Sequence, residues 1–186
     1  EGEQVGLGNR LPIILPLAAY ANALQQQDVR LDDFIAEYFS DIGADNSIGP
    51  MLAEALRAGR ALILLDGLDE VRDLNLRNTV VERVVDFYAF HRRPGNKFVI
   101  TSRIIGYRAV RPSAEGLVEC TLVDFEDSEI EEFVRRWTTA LEKQVQGDSA
   151  VARGDAEQDR RELLDAIYQN AGVRRLASTP LLLTIL

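Results

Sequence analysis

The chain has 186 residues, room for one domain with a sizeable core or for one domain and the start of another. Net charge is −9, from 30 acids against 21 bases, which argues against a nucleic-acid-binding face built on clustered Lys and Arg. No apolar run approaches the ~20 residues of a membrane span, and the apolar and charged fractions, 46% and 27%, are those of a soluble globular protein. The opening EGEQVGLGNR is polar and has no secretion-signal pattern. The single Cys, Cys120, can form neither an internal disulfide nor a Cys-based zinc site. These features fit a cytoplasmic protein, or a cytoplasmic piece of one.

In chain order, Leu11 to Leu17 (LPIILPL) is a short apolar run whose two prolines suit an edge strand, since Pro cannot donate to a ladder. Asp28 to Ile42 carries Leu31, Phe34, Ile35, Tyr38 and Phe39 at helical spacing. Gly43 to Ser47 breaks it. Ser47-Ile48-Gly49-Pro50 opens a second helix with Met51, Leu52, Ala55 and Leu56 on one face, and Gly59 stands just past its end. Ala61 to Leu65 is an unbroken apolar run and reads as a strand buried on both faces, as in a parallel sheet.

Asp73 to Phe90 is a long helix with a broad face of Val80, Val81, Val84, Val85, Phe87 and Tyr88. The only His, His91, follows it and suits a helix-terminal or surface position. Arg92 to Asn96 turns the chain, and Lys97 to Arg103 is another apolar strand ending in polar residues. A loop with Gly106 and Pro112 leads to a fourth strand, 117–123, in which Cys120 is expected to pack as a strand thiol. Asp127 or Ser128 caps a helix running through Trp137, with Glu129, Glu131 and Glu132 complementing its dipole. Gly147 to Gly154 reads as a loop or helix break. Residues 155–186 read as two or three helices, with Pro180 at a helix start. Strands alternating with helices give an α/β class with a mostly parallel sheet, followed by a small helical region. The chain stops within an apolar stretch, which suggests a truncated natural sequence.

Candidate chemistry gathers where the run 61–65 meets Asp66-Gly67-Leu68-Asp69-Glu70. Ligands of open parallel sheets bind beyond the carboxyl ends of the strands. Mg²⁺ takes oxygen ligands and commonly one or two protein carboxylates, so Asp66 at the strand tip is the metal-binding candidate. Asp69 and Glu70 are candidates to orient an attacking water. Gly67, without a side chain, leaves room for phosphate or a close backbone. Thr101, Ser102 and Arg103 end the neighbouring strand, where hydroxyls and a guanidinium can meet a terminal phosphate. An acidic, solvated turn and a surface arginine are the plainer alternatives.

Asp66-Gly67-Leu68-Asp69-Glu70 resembles the extended Walker B motif of the NACHT family of STAND nucleotide-binding proteins, in which a tiny residue follows the magnesium aspartate and an acid stands three positions on from it. Phe98 to Arg103 resembles the family's sensor 1 strand, with Arg103 as its phosphate-sensing arginine. Leu11 to Leu17 resembles the strand preceding Walker B, and Phe125 to Trp137 the entry to the helical domain. Thr179-Pro180-Leu181-Leu182-Leu183 resembles the family's PLLL helix, which implies that Pro180 faces the adenine; Thr179 stands where Asn is frequent.

The resemblance implies a P-loop NTPase-like nucleotide-binding subdomain over 1–124 and the start of a helical subdomain over 125–186. It further implies ATP or GTP with Mg²⁺, slow regulatory hydrolysis, and self-association controlled by nucleotide state, often in defence signalling. Arg far outnumbers the two lysines, which hints at a GC-rich, bacterial genome.

One element of the family is absent from these residues. A P-loop needs G-x-x-x-x-G-K-[ST], and neither Lys97 nor Lys143 follows a glycine-rich loop. The chain thus resembles a fragment beginning after the P-loop, with little nucleotide affinity of its own. In the family, the P-loop strand lies between those matching 97–102 and 117–123. Its loss leaves three expectations: direct pairing of these two, one of them loose, or association between chains. Two other classes remain open. One is another ASCE or AAA+ ATPase, disfavoured because Gly67 separates Asp66 from the later acids. The other is a non-catalytic α/β scaffold whose acids bind only Mg²⁺.

Overall fold

A computed structural model describes residues 9–41, 43 and 48–185. The chain divides into two compact units, Glu1–Val118 and Glu119–Leu186.

The first unit is built on a three-stranded, all-parallel sheet in the order β1 (Leu11–Pro16), β2 (Ala61–Asp66), β3 (Lys97–Ile100). The helices of this unit are α1 (Leu17–Gln26), α2 (Leu31–Asp41), α3 (Ile48–Arg57), α4 (Leu74–His91) and the short α5 (Ile104–Ala109). β1 is an edge strand, as its prolines require. Register sets Ile13 beside Ile63 and Phe98, and Leu15 beside Leu65 and Ile100. These residues share one face and join α1 to α4 in a single core with Leu17, Tyr20, Phe34, Ile35, Leu52, Leu56, Val80, Val84 and Phe87.

β2 is not buried on both faces. Ala61, Ile63 and Leu65 are buried, but Leu62 and Leu64 are only partly covered. The flanking Ile14 and Val99 are 57% and 46% exposed, so the apolar run supplies two faces and the helices of this unit cover one.

The start of the sheet is fixed by one buried amide. Asn96 accepts from the N–H of Ala61 (2.9 Å) and donates to the carbonyls of Leu56 (2.7 Å) and His91 (2.9 Å). It thereby ties the ends of α3 and α4 to the first residue of β2. Beside it Gly59, at φ +69°, lies so near the Pro94 carbonyl that a Cβ would stand 2.0 Å from that oxygen. His91 ends α4 as expected, but it is buried rather than superficial, with Nε2 2.5 Å from Oδ1 of Asp32 on α2.

Other boundaries moved. The helix expected over 28–42 is α2, beginning at Leu31; Ile42 and Ser47 lie outside the described residues. α1 and α5 were not visible as separate periodic runs. The segment 117–123 is not a strand, and Val118, Leu122 and Val123 are 85%, 98% and 79% exposed. Cys120 is exposed, not packed. A strand exists only through its ladder, and β3 ends the sheet order, so among the described residues 117–123 has no strand to pair with. Of the three expected outcomes for that gap, this is the loose segment.

The second unit is helical: α6 (Asp127–Gln146), α7 (Ala150–Gln169), α8 (Ala171–Ala177) and α9 (Pro180–Leu183). Its core holds Ile130, Val134, Ile167, Ala177 and Leu183. Glu126, not Asp127 or Ser128, caps α6 through a reciprocal box with Glu129, and α6 continues well past Trp137. The polar stretch 147–154 breaks the helix only briefly. Ser149 caps α7, and Gly154 lies inside it. The main chain of Phe125 donates to Ser178 (2.7 Å), and Asp127 pairs with Arg174, joining the entry of this unit to α8.

Replacing Asn96 with Ala strands one donor and two acceptors in the core. Asn96→Ala is expected to lower unfolding stability by roughly 2–4 kcal/mol in urea denaturation. A loss below about 0.5 kcal/mol would show that this amide does not fix the sheet.

Candidate functional site

The pairing of Leu65 with Ile100 brings the ends of β2 and β3 side by side. The ladder runs one residue beyond β3: Thr101 N–H donates to Leu65 (2.9 Å), and Leu68 N–H donates to the Thr101 carbonyl (3.0 Å). Asp66 is exposed at the tip of β2. The Thr101 hydroxyl donates to Oδ1 of Asp66 (2.5 Å) and accepts from the N–H of Gly67 (3.0 Å). One hydroxyl therefore locks the aspartate against the turn that follows it.

That turn begins at Gly67, with φ +75° and ψ +47°, the left-handed region that favours glycine. A short 3₁₀ turn, Leu68–Glu70, follows. Leu68 is buried under it, while Asp69 and Glu70 face outward to different degrees. Glu70 folds back, its Cδ 3.0 Å from where a Gly67 Cβ would stand.

Asp69 is held more tightly. Its Oδ1 accepts from the main-chain N–H of Arg103 (2.9 Å), and its Oδ2 lies 3.6 Å from Arg103 Nε. The Asp69 side chain is 19% exposed, against 89% for Arg103. Gly106 of α5 presses directly on it, so that a Cβ there would stand 2.2 Å from the Asp69 Cβ. Ser102 donates to the Arg103 carbonyl (3.1 Å) within the same turn.

Asp66, Gly67, Asp69, Glu70, Thr101, Ser102 and Arg103 thus share one edge of the sheet. Pro180 belongs to the second unit, where it is exposed and opens α9. Two residues packed against the acid turn, Arg77 and Gly106, do not stand out as site residues in the sequence, nor does Asn96 at the opposite end of the sheet. Arg77 lies one turn before Val80 and Val81, on the buried side of α4, and that spacing was the available signal.

A magnesium–nucleotide site is compatible with these groups. Among the described residues no group of three or more His, Cys, Asp or Glu could hold a metal by themselves. Mg²⁺ does not demand such a cage, because phosphate and water complete its shell. Among the same residues no hydrogen bond engages Oδ2 of Asp66, so an exposed carboxylate oxygen is available at the strand tip.

The sequence model of the NACHT domain matches residues 3–140, well over half of the 186. The chain belongs to the NACHT-domain family. It is therefore part of a P-loop NTPase signalling module, a class that binds nucleotide and oligomerises. No curated protein and no solved structure matches it. Among the described residues no helix is long and apolar enough to cross a membrane.

Gly67→Ala forces a Cβ into the left-handed region and is expected to lower stability by about 1–2 kcal/mol. Gly67→Asn is expected to lose less, because Asn tolerates that region better. Equal losses in thermal or urea unfolding would count against the backbone argument.

Proposed function

We propose that this chain supplies the Walker B and sensor half of a cytoplasmic ATP- or GTP-dependent switch. In this reading Mg²⁺ accompanies the nucleotide, and slow hydrolysis controls self-association. The observation that carries it is Asp66, exposed at the tip of the central parallel strand and hydrogen-bonded to Thr101.

Asp66 holds the metal, directly or through water, and Thr101 keeps its carboxylate turned to the strand tip. Mg²⁺ held there would supply positive charge against the phosphates of the nucleotide. Gly67 leaves the strand tip clear of side chain. Arg103 contacts the terminal phosphate, with Ser102 beside it in the turn. Asp69 orients the attacking water, and Glu70 is its nearest acidic neighbour in sequence.

Asp69 and Arg103 already touch, so a phosphate that draws Arg103 away also frees a carboxylate oxygen for water. Loss of the terminal phosphate reverses that exchange, which gives the two nucleotide states different geometries at Arg103. Pro180 at the start of α9 is assigned to the adenine by resemblance to the family. Residues 1–124 serve as the nucleotide-binding part and 125–186 begin the helical part.

The 186 residues contain no phosphate-cradling glycine loop with its lysine. Alone, the chain is expected to bind ATP and GTP more weakly than micromolar, by calorimetry. Micromolar affinity would contradict the assignment.

In a protein that joins this chain to a P-loop, Asp66→Asn is expected to lower Mg²⁺-dependent nucleotide binding. Asp69→Asn is expected to lower hydrolysis by ~10²-fold or more while binding changes little. Equal loss of binding and hydrolysis in both variants would refute that division of roles.

A further inference from the structure

Arg77 is 7% exposed, one of few charged side chains in the interior. Burying a guanidinium is unfavourable unless its donors are satisfied. Its described partners are all main-chain carbonyls. Nε donates to Val71 (2.8 Å), Nη2 to Asp69 (3.2 Å) and Nη1 to Gly106 (3.3 Å). A planar fork can meet such separated acceptors at once, where an ammonium is a point.

Those acceptors belong to two segments, the acid turn and α5. Six residues are too few for α5 to be stable by itself. Apolar burial anchors only its far end: Ile104 and Ile105 are 53% and 87% exposed, while Val110, just past its last residue, is buried in the core. What ties down the end next to Arg103 is polar and close-fitting. The Arg103 N–H rests on Asp69, the Gly106 backbone presses on the Asp69 side chain, and Arg77 joins the Asp69 and Gly106 carbonyls.

We propose that Arg77 is a positioning residue of the nucleotide site. By gripping the acid turn and α5 in one fork, it sets where Arg103 stands relative to Asp66. Displacing the arm 103–109 would leave Nη1 of this buried guanidinium without its Gly106 acceptor, while Nε and Nη2 keep their bonds to the acid turn. The link to nucleotide rests on the role proposed above for Arg103; the link between Arg77 and the arm does not.

Amide hydrogen exchange on this chain, without nucleotide, tests the second link. In Arg77→Met the Arg103 amide is expected to exchange about tenfold faster, while Ile63 and Val84 keep their protection. Arg77→Lys keeps the charge, loses the fork and is expected to give the same local rise. Should Arg77→Met fail to fold, Arg77→Lys decides the matter, because it keeps the charge and removes only the fork that joins the acid turn to α5. Unchanged protection of Arg103 in any folded variant, or a uniform rise through β2 and α4, overturns the proposal.

With a P-loop present, Arg77→Met is expected to slow hydrolysis more than it weakens nucleotide binding. Unaltered hydrolysis alongside faster exchange at Arg103 would overturn the link to the site. Absence of nucleotide binding in a protein that joins this chain to a P-loop would sink the functional reading while leaving the exchange result to stand by itself.

Discussion

Everything at the candidate site depends on the register between β2 and β3. Pairing Leu65 with Ile100 puts the Thr101 hydroxyl against Asp66 and the Gly67 amide. A slip of one residue would turn Ile63 and Leu65 away from the helices and carry Asp66 to the other face. The buried amide of Asn96 guards that register from the opposite end, because it reads the first N–H of β2 and the last turns of α3 and α4 together. A polar core residue with all its partners in place specifies one arrangement, since every alternative leaves donors or acceptors unpaired.

Beyond the strand tip, order is maintained by polar contacts and close approach rather than by apolar burial. Leu68 fills the core beneath the acid turn, whereas α5 reaches the core only through Val110 just past its end. Gly67 allows the chain to leave the strand in a left-handed conformation, and Gly106 allows a second backbone to lie against Asp69. Asp69 consequently does structural service before any chemistry. It caps the turn bearing Arg103 and faces the guanidinium of the same residue. In the role proposed for it, Asp69 acts only after Arg103 moves, which suits a switch better than a fast enzyme.

Much of this was legible in the sequence. Five apolar residues running into DGLDE marked the strand and its acidic tip, and FVITSR marked the strand beside it. Both depend on local order, which the sequence carries directly. The segment 117–123 shows the limit of that reasoning. LVECTLV has strand composition, but a strand also requires a neighbour, and sequence pattern says nothing about whether one is present. The exposed side of the sheet is a similar case. Leu62 and Leu64 are as apolar as Ile63 and Leu65, and only the packing of α1 to α4 distinguishes them. Arg77, Asn96 and Gly106 were passed over because each resembles an ordinary helix, turn or loop residue until distant backbone segments converge on it.

The central claim is that nucleotide-bound divalent metal sits at the tip of β2. The most direct measurement replaces Mg²⁺ with paramagnetic Mn²⁺, adds ATP or GTP to a protein joining this chain to a P-loop, and maps the broadening of amide NMR signals. Broadening centred on Gly67 and Thr101, abolished by Asp66→Asn, is the expected result. Broadening centred elsewhere, for example on the acids Asp28 and Asp32 around the start of α2, or broadening that survives the loss of Asp66, would contradict it.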